Sequence, residues 1–116
     1  MKTLFVLNDP PYGTERSYNA LRLAGALAKK GGDDLRMFLM GDAAACAKRG
    51  HSVAPGFYNI NRMLRAVALK QVPVAVCGSC MDARGITADE LVEGTERSTL
   101  DELADWTAWA EKVLVF

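Results

Sequence analysis

Val72-Pro73-Val74-Ala75-Val76-Cys77-Gly78-Ser79-Cys80-Met81-Asp82-Ala83-Arg84-Gly85 is an apolar run that stops at a thiol and passes into a polar turn carrying a second thiol. An apolar, β-branched run without alternating polar positions reads as a strand covered on both faces, as in a parallel sheet. Pro73 cannot donate to a sheet ladder and is tolerated only near the start of such a strand. The run from Val72 to Cys77 therefore puts Cys77 at the carboxyl edge of an α/β sheet, where such folds bind ligands. Gly78 allows a tight turn or close backbone approach directly after the strand. With Gly78-Ser79 opening a helical turn, free N–H groups point toward the sulfur and favour the thiolate, and Arg84 is expected to add positive charge from the other end of that turn.

Outward from this segment, short apolar runs alternate with helical patterns, the signature of βα units around a parallel sheet. Thr3-Leu4-Phe5-Val6-Leu7 is the first strand, followed by a turn over Asn8 to Gly13 with Thr14 as N-cap. A helix then runs to about Lys30, with a stripe of Tyr18, Leu21, Ala24/Gly25 and Ala28, and stops at Gly31-Gly32. Leu35 to Met40 reads as the second strand, and Gly41-Asp42 starts a short alanine-rich helix that holds Cys46. His51 to Tyr58 is a loop; Asn59 or Asn61 caps a helix whose Ile60, Met63, Leu64 and Val67 share a face. Thr87-Ala88-Asp89-Glu90 and Thr99-Leu100-Asp101-Glu102 both have the form of a capping box. Leu91-Val92-Glu93 is read as a small strand. The last helix carries Leu103, Trp106 and Trp109/Ala110 on one side, and Lys112 to Phe116 is a terminal strand. The expected fold is a three-layer α/β/α sandwich with a mainly parallel sheet of four or five strands, in one domain over residues 1–116.

Composition narrows the partners. The chain has 116 residues, half of them hydrophobic, and fourteen basic residues balance fourteen acidic ones. Lys29-Lys30 and Lys48-Arg49 are isolated pairs with no basic stripe, so nucleic acid is not an expected partner. The first apolar run is too short for a secretory core, and nothing approaches the ~20 apolar residues of a membrane span. Three cysteines do not make the even framework of a small secreted domain. A cytoplasmic location is expected, where a CxxC pair is more often catalytic or metal-binding than structural.

Strand-to-helix loops of a parallel sheet emerge on one side, because the crossovers share one hand. Asn8 to Gly13, Gly41-Asp42 and Gly78 to Gly85 are thus expected around one crevice. Cys77 is the leading candidate for chemistry there, against the plainer reading of a buried cysteine acting as a small hydrophobe. Cys80 permits a Cys77–Cys80 disulfide, as in thioredoxin-like motifs, or a division of labour in which Cys77 holds sulfur and Cys80 releases it by thiol exchange. Its plainer reading is a turn residue without chemistry. Cys46, His51, Cys77 and Cys80 supply four zinc-ligand types, yet a second CxxC is missing and Cys46 is distant in sequence, so no metal is expected. His51 is the single histidine and reads as a solvated loop residue, although any imidazole-assisted step depends on it. Asp9, Tyr12 and Asp82 flank the crevice with capping or turn roles as the alternative. GxGxxG and GxxxxGKS patterns are missing after the first strand and no GxSxG elbow occurs, so no nucleotide cofactor is expected.

With these residues in view, the chain resembles the DsrE/DsrF-like family, in its small YchN-like branch. The resemblance spans nearly the whole length: Asn8-Asp9-Pro10-Pro11-Tyr12-Gly13-Thr14-Glu15, Asn19 to Ala24, Phe38-Leu39-Met40-Gly41-Asp42-Ala43, Tyr58-Asn59-Ile60, Cys77 to Gly85, and Thr99 to Thr107. It implies a parallel α/β sandwich assembling into homotrimers or homohexamers, and a role in sulfur relay between donor and acceptor proteins. The family's persulfide-carrying cysteine, placed by its spacing to the Arg-Gly that follows, falls on Cys77. Cys80 matches the additional cysteine of the branch. Three functions follow as expectations: a sulfur carrier or sulfurtransferase-like protein using Cys77, a dithiol–disulfide redox protein using both cysteines, and a non-catalytic oligomeric binding domain.

Overall fold

The structure, a computed structural model, describes residues 1–116. Its five strands are β1 (Lys2–Leu7), β2 (Asp34–Leu39), β3 (Val74–Cys77), β4 (Thr95–Ser98) and β5 (Lys112–Val115). They form one sheet in the order β4-β3-β2-β1-β5, and every pairing is parallel. The helices are α1 (Arg16–Lys30), α2 (Ile60–Leu69), α3 (Gly78–Ala83) and α4 (Leu100–Trp109). This is the expected α/β/α sandwich, with five strands.

Side-chain alternation along the strands divides the core in two. Phe5, Leu7, Met37, Leu39, Val74 and Val76 face α1 and α2 in a cluster of 21 buried residues, which takes in Leu21 and Ala24 of α1 and Ile60, Leu64 and Val67 of α2. Leu4, Val6, Phe38, Ala75 and Cys77 face the other way, in a cluster of five covered by Leu103, Trp106 and Ala110. The imbalance follows from the connections. α4 alone returns the chain from β4 at one edge to β5 at the other. A ten-residue helix is ~15 Å long, whereas five strands span roughly 19 Å, so the second face is thinly covered. No residue of α4 is fully buried.

Local structure departs from the sequence expectations at five places. Gly41–Ala47 winds as a 3₁₀ helix and not as an α-helix. The tighter winding buries Ala43, Ala44, Cys46 and Ala47 together, more of a seven-residue segment than one α-helical stripe would. The fourth strand is Thr95–Ser98, not Leu91-Val92-Glu93; Leu91 makes only an isolated antiparallel bridge to Lys48. β3 starts at Val74, with Pro73 just outside it, its carbonyl accepting from the Met37 N–H at 2.9 Å. α1 starts at Arg16 with Glu15 at the N-cap; Thr14 hydroxyl donates to Asp9 at 3.0 Å. Thr87 forms its full capping box, on a short 3₁₀ turn over Ala88–Glu90. Thr99 caps α4 by accepting from Glu102 N–H at 3.2 Å, but the Glu102 carboxylate accepts from Ser98 hydroxyl, so that box is only half made.

Candidate functional site

Cys77 is the last residue of β3 and the N-cap of α3, so the segment quoted at the outset folds as a strand, a thiol and a single helical turn and a half. The reason is local: the β-branched residues end at Cys77, and Gly78 next to it lets the chain turn at once. In the parallel ladder Cys77 is opposite Ser98 of β4, and its side chain lies on the thin α4 side of the sheet. It is 5 % exposed, whereas Cys80 is half-buried.

The two thiols are in different electrostatic surroundings. Burial pushes the Cys77 thiol up, but hydrogen bonds from Ser79 hydroxyl, from Cys80 Sγ and from the N–H groups of Cys80 and Ser79 outweigh it, leaving the pKa below that of an ordinary cysteine. Ser79 Oγ lies 3.3 Å from the Cys77 sulfur. Cys80 shifts the opposite way: burial raises it, and so does donating its proton to Cys77. The Gly41 N–H donates to Cys80 Sγ at 3.1 Å, which joins the loop after β2 to α3. The two shifts make Cys77 the thiol that ionises first and Cys80 the one that keeps its proton.

The expected loops do meet at the carboxyl edge, but the charges are distributed differently from the sequence reading. Arg84 is drawn away to Asp42, at 2.8 Å, and also donates to the Cys80 carbonyl at 3.0 Å. Its charge acts on Cys80. The guanidinium beside the Cys77 turn belongs to Arg97 of β4. It makes a two-armed pair with the Asp82 carboxylate, at 2.8 and 2.9 Å, and lies so close over Gly78 that a methyl group there would be 2.9 Å from its central carbon. Arg97 was missed because it lies in a polar stretch without an apolar strand pattern. The available signal was the slot itself, four residues between Gly94 and the capping Thr99.

The other candidates take structural places. Cys46 is wholly buried, and burial, ahead of its hydrogen bonds, pushes its thiol up to about 12. The zinc set is not assembled: no three His, Cys, Asp or Glu side chains converge with metal-binding geometry. His51 is not a solvated loop residue. The Tyr12 hydroxyl accepts from the Ile60 N–H at 3.1 Å and donates to His51 Nδ1 at 2.9 Å, and His51 Nε2 then donates to the Ala45 carbonyl, also at 2.9 Å. The ring pins the loop after β1 and the 3₁₀ segment to the start of α2. Asp9 receives the Thr14 hydroxyl on its carboxylate and the Ser17 hydroxyl on its carbonyl, both turn roles.

Fold and site together define a small parallel α/β protein with a lowered-pKa thiol at the carboxyl edge of its sheet. The sequence matches the DsrE/DsrF-like family over residues 1–116, and the chain belongs to that family. It is 47 % identical over 116 residues to Protein YchN of Escherichia coli, covering 99 % of this chain and 98 % of that one. It is 32 % identical over 111 residues to the uncharacterized protein MK0008 of Methanopyrus kandleri, covering 96 % and 90 %. The crystal structure of ychN protein from E. coli superposes with a TM-score of 0.94 at 46 % identity, over 99 % of this chain and 98 % of that one. A protein of unknown function from Methanobacterium thermoautotrophicum, MTH1491, shares the fold with a TM-score of 0.76 at 12 % identity, over 99 % and 98 % of the two chains.

Proposed function

We propose that this chain is a sulfur carrier that forms a persulfide on Cys77 and passes the outer sulfur to a partner protein. Membership of a family associated with sulfur relay supports the general role. The observation that carries the specific reading is the asymmetric thiol pair: Cys77 ends β3 at the start of α3 with Ser79 Oγ 3.3 Å from its sulfur and is shifted toward its anion, whereas Cys80 is shifted the opposite way. In the loading step the Cys77 thiolate attacks the outer sulfur of a donor persulfide. The S–Sγ bond forms as the donor's S–S bond breaks, and the donor leaves as a thiolate. The acceptor's thiolate then attacks the same outer sulfur and Cys77 departs as the thiolate it was before. Each step is a two-electron exchange that needs no outside oxidant.

Cys77 is narrowly accessible, so a partner must reach it through the thin side of the sheet. α4 covers that side without a fully buried residue, and its local opening costs less than that of any better-anchored helix. The family assembly, a homotrimer or homohexamer, fits the apolar residues left open there: Val115 is 67 % and Leu100 65 % exposed. No helix is long and apolar enough to cross a membrane.

The test is incubation with a persulfide donor followed by intact-mass and peptide analysis. Gain of one sulfur atom on the Cys77 peptide is expected, lost in Cys77→Ser and retained in Cys80→Ser. A loaded control protein beside an unloaded Cys77 would reject the proposal. The opposed shifts of the two thiols favour one rival, a dithiol–disulfide protein. That reading requires both cysteines equally and shows loss of two hydrogens with no gain of sulfur.

A further inference from the structure

We propose that Arg97 is a positioning residue for Cys77: clamped by Asp82 and lying on Gly78, its guanidinium fixes the turn that holds the sulfur and keeps a positive charge beside it. The inference builds on the reading of Cys77 as the sulfur-bearing residue.

Geometry makes the case. α3 has six residues, too few to hold itself by its own hydrogen bonds. Its first turn carries Ser79, whose Oγ is 3.3 Å from the Cys77 sulfur. Arg97 comes from β4, next to Ser98, the residue opposite Cys77 in the ladder. From there its side chain touches α3 at both ends, through van der Waals contact with Gly78 and through the two-armed pair with Asp82. One side chain therefore ties the outer strand to the whole of the short helix. Gly78 leaves room for this contact, since a Cβ there would push the guanidinium aside. The guanidinium is near enough to the sulfur to respond to it: Asp82 is the main cause that raises Arg97 above its ordinary value, and the Cys77 thiolate adds to it.

Other charged groups around the sulfur are otherwise engaged. Arg84 is paired with Asp42 and acts on Cys80, and the Glu102 carboxylate of α4 accepts from Ser98 hydroxyl. Arg97 is paired as well, so its field at Cys77 is partly offset by Asp82. That arrangement gives opposite signs for the two partners. Removing the cation disfavours the thiolate; removing only the carboxylate leaves the cation uncompensated and favours it.

The experiment is the pH profile of iodoacetamide alkylation, followed on the Cys77 peptide by mass spectrometry with Cys80 intact. Arg97→Gln is expected to slow Cys77 alkylation at neutral pH by roughly threefold to tenfold and move the profile to higher pH. Arg97→Lys should recover part of the loss. Asp82→Asn should move the profile the other way. An unchanged profile in Arg97→Gln overturns the proposal, and so do shifts in the same direction in Arg97→Gln and Asp82→Asn, the result of a merely mechanical tie. Thermal unfolding of each variant identifies any that fails to fold; Arg97→Lys, which keeps the charge and most of the side chain, then decides by its shift relative to wild type. Persulfide loading of the wild-type chain tests the relay reading separately, so either idea can fail alone.

Discussion

Cys77 and Cys80 are the same chemical group three residues apart, and their neighbours divide them into acceptor and donor. Cys80→Ala removes the proton that Cys80 directs at Cys77, so the Cys77 pKa should rise. The check is the same alkylation profile, expected at higher pH and with a rate about 1.5- to fivefold lower at neutral pH. His51 makes a second prediction at this scale. Burial, with Lys48 repulsion added and the Ala45 carbonyl opposing, lowers its pKa from the ordinary 6.5. A group lowered in the folded state stabilises it in full above its unfolded value and loses that contribution as pH falls below it. Stability measured in urea should therefore decline between about pH 7 and 5, and less steeply in His51→Gln, which at neutral pH should be about 1 kcal/mol less stable through its lost hydrogen bonds. An identical slope in the variant refutes the assignment. The place of Cys77 at the end of a strand was legible in the sequence because the apolar run stops there and a glycine follows. Arg97 was not, since it is twenty positions further along the chain and is carried by a strand without an apolar pattern.

Elements with an apolar signature were found where their periodicity put them: β1, β2 and the buried stripes of α1 and α2 follow from side-chain spacing alone. β4 was displaced because Thr95-Glu96-Arg97-Ser98 is a charged edge strand, and an edge needs no apolar face. The true apolar pair, Leu91 and Val92, is buried by a different route, with the Val92 N–H donating to the Ala47 carbonyl at 2.8 Å. Gly94 makes the corner between them. It has φ +88°, and a Cβ there would come within 2.9 Å of the Ala68 methyl. Gly94→Ala should thus cost about 1–3 kcal/mol, read by denaturant unfolding. A neutral Gly94→Ala would mean that this corner is not built as described. Loss of the α4 cap in Thr99→Ala should cost about 1 kcal/mol and be felt first as faster amide exchange within α4 itself.

At the scale of the whole molecule, a large core on one face of the sheet and a small one on the other give the chain two unequal sides. Leu64 is fully buried in the larger core, and Leu64→Ala should destabilise by about 2–5 kcal/mol in thermal or denaturant unfolding. The thin side should behave differently. On the proposed homo-oligomeric assembly, Val115→Glu is expected to leave the fold intact and shift the sedimenting mass toward that of a single chain; a mass unchanged from wild type would refute a role for Val115 in assembly. Continuous apolar runs alternating with helical patterns made the sandwich readable from sequence, but not how incompletely its second layer covers the sheet, which depends on a ten-residue helix having to cross five strands. Cys46 offers a last consequence. Sealed in the larger core with its proton held to about pH 12, it is out of a reagent's reach until the structure comes apart. Its labelling under native conditions would then register each global opening, a clock for unfolding that needs no added dye.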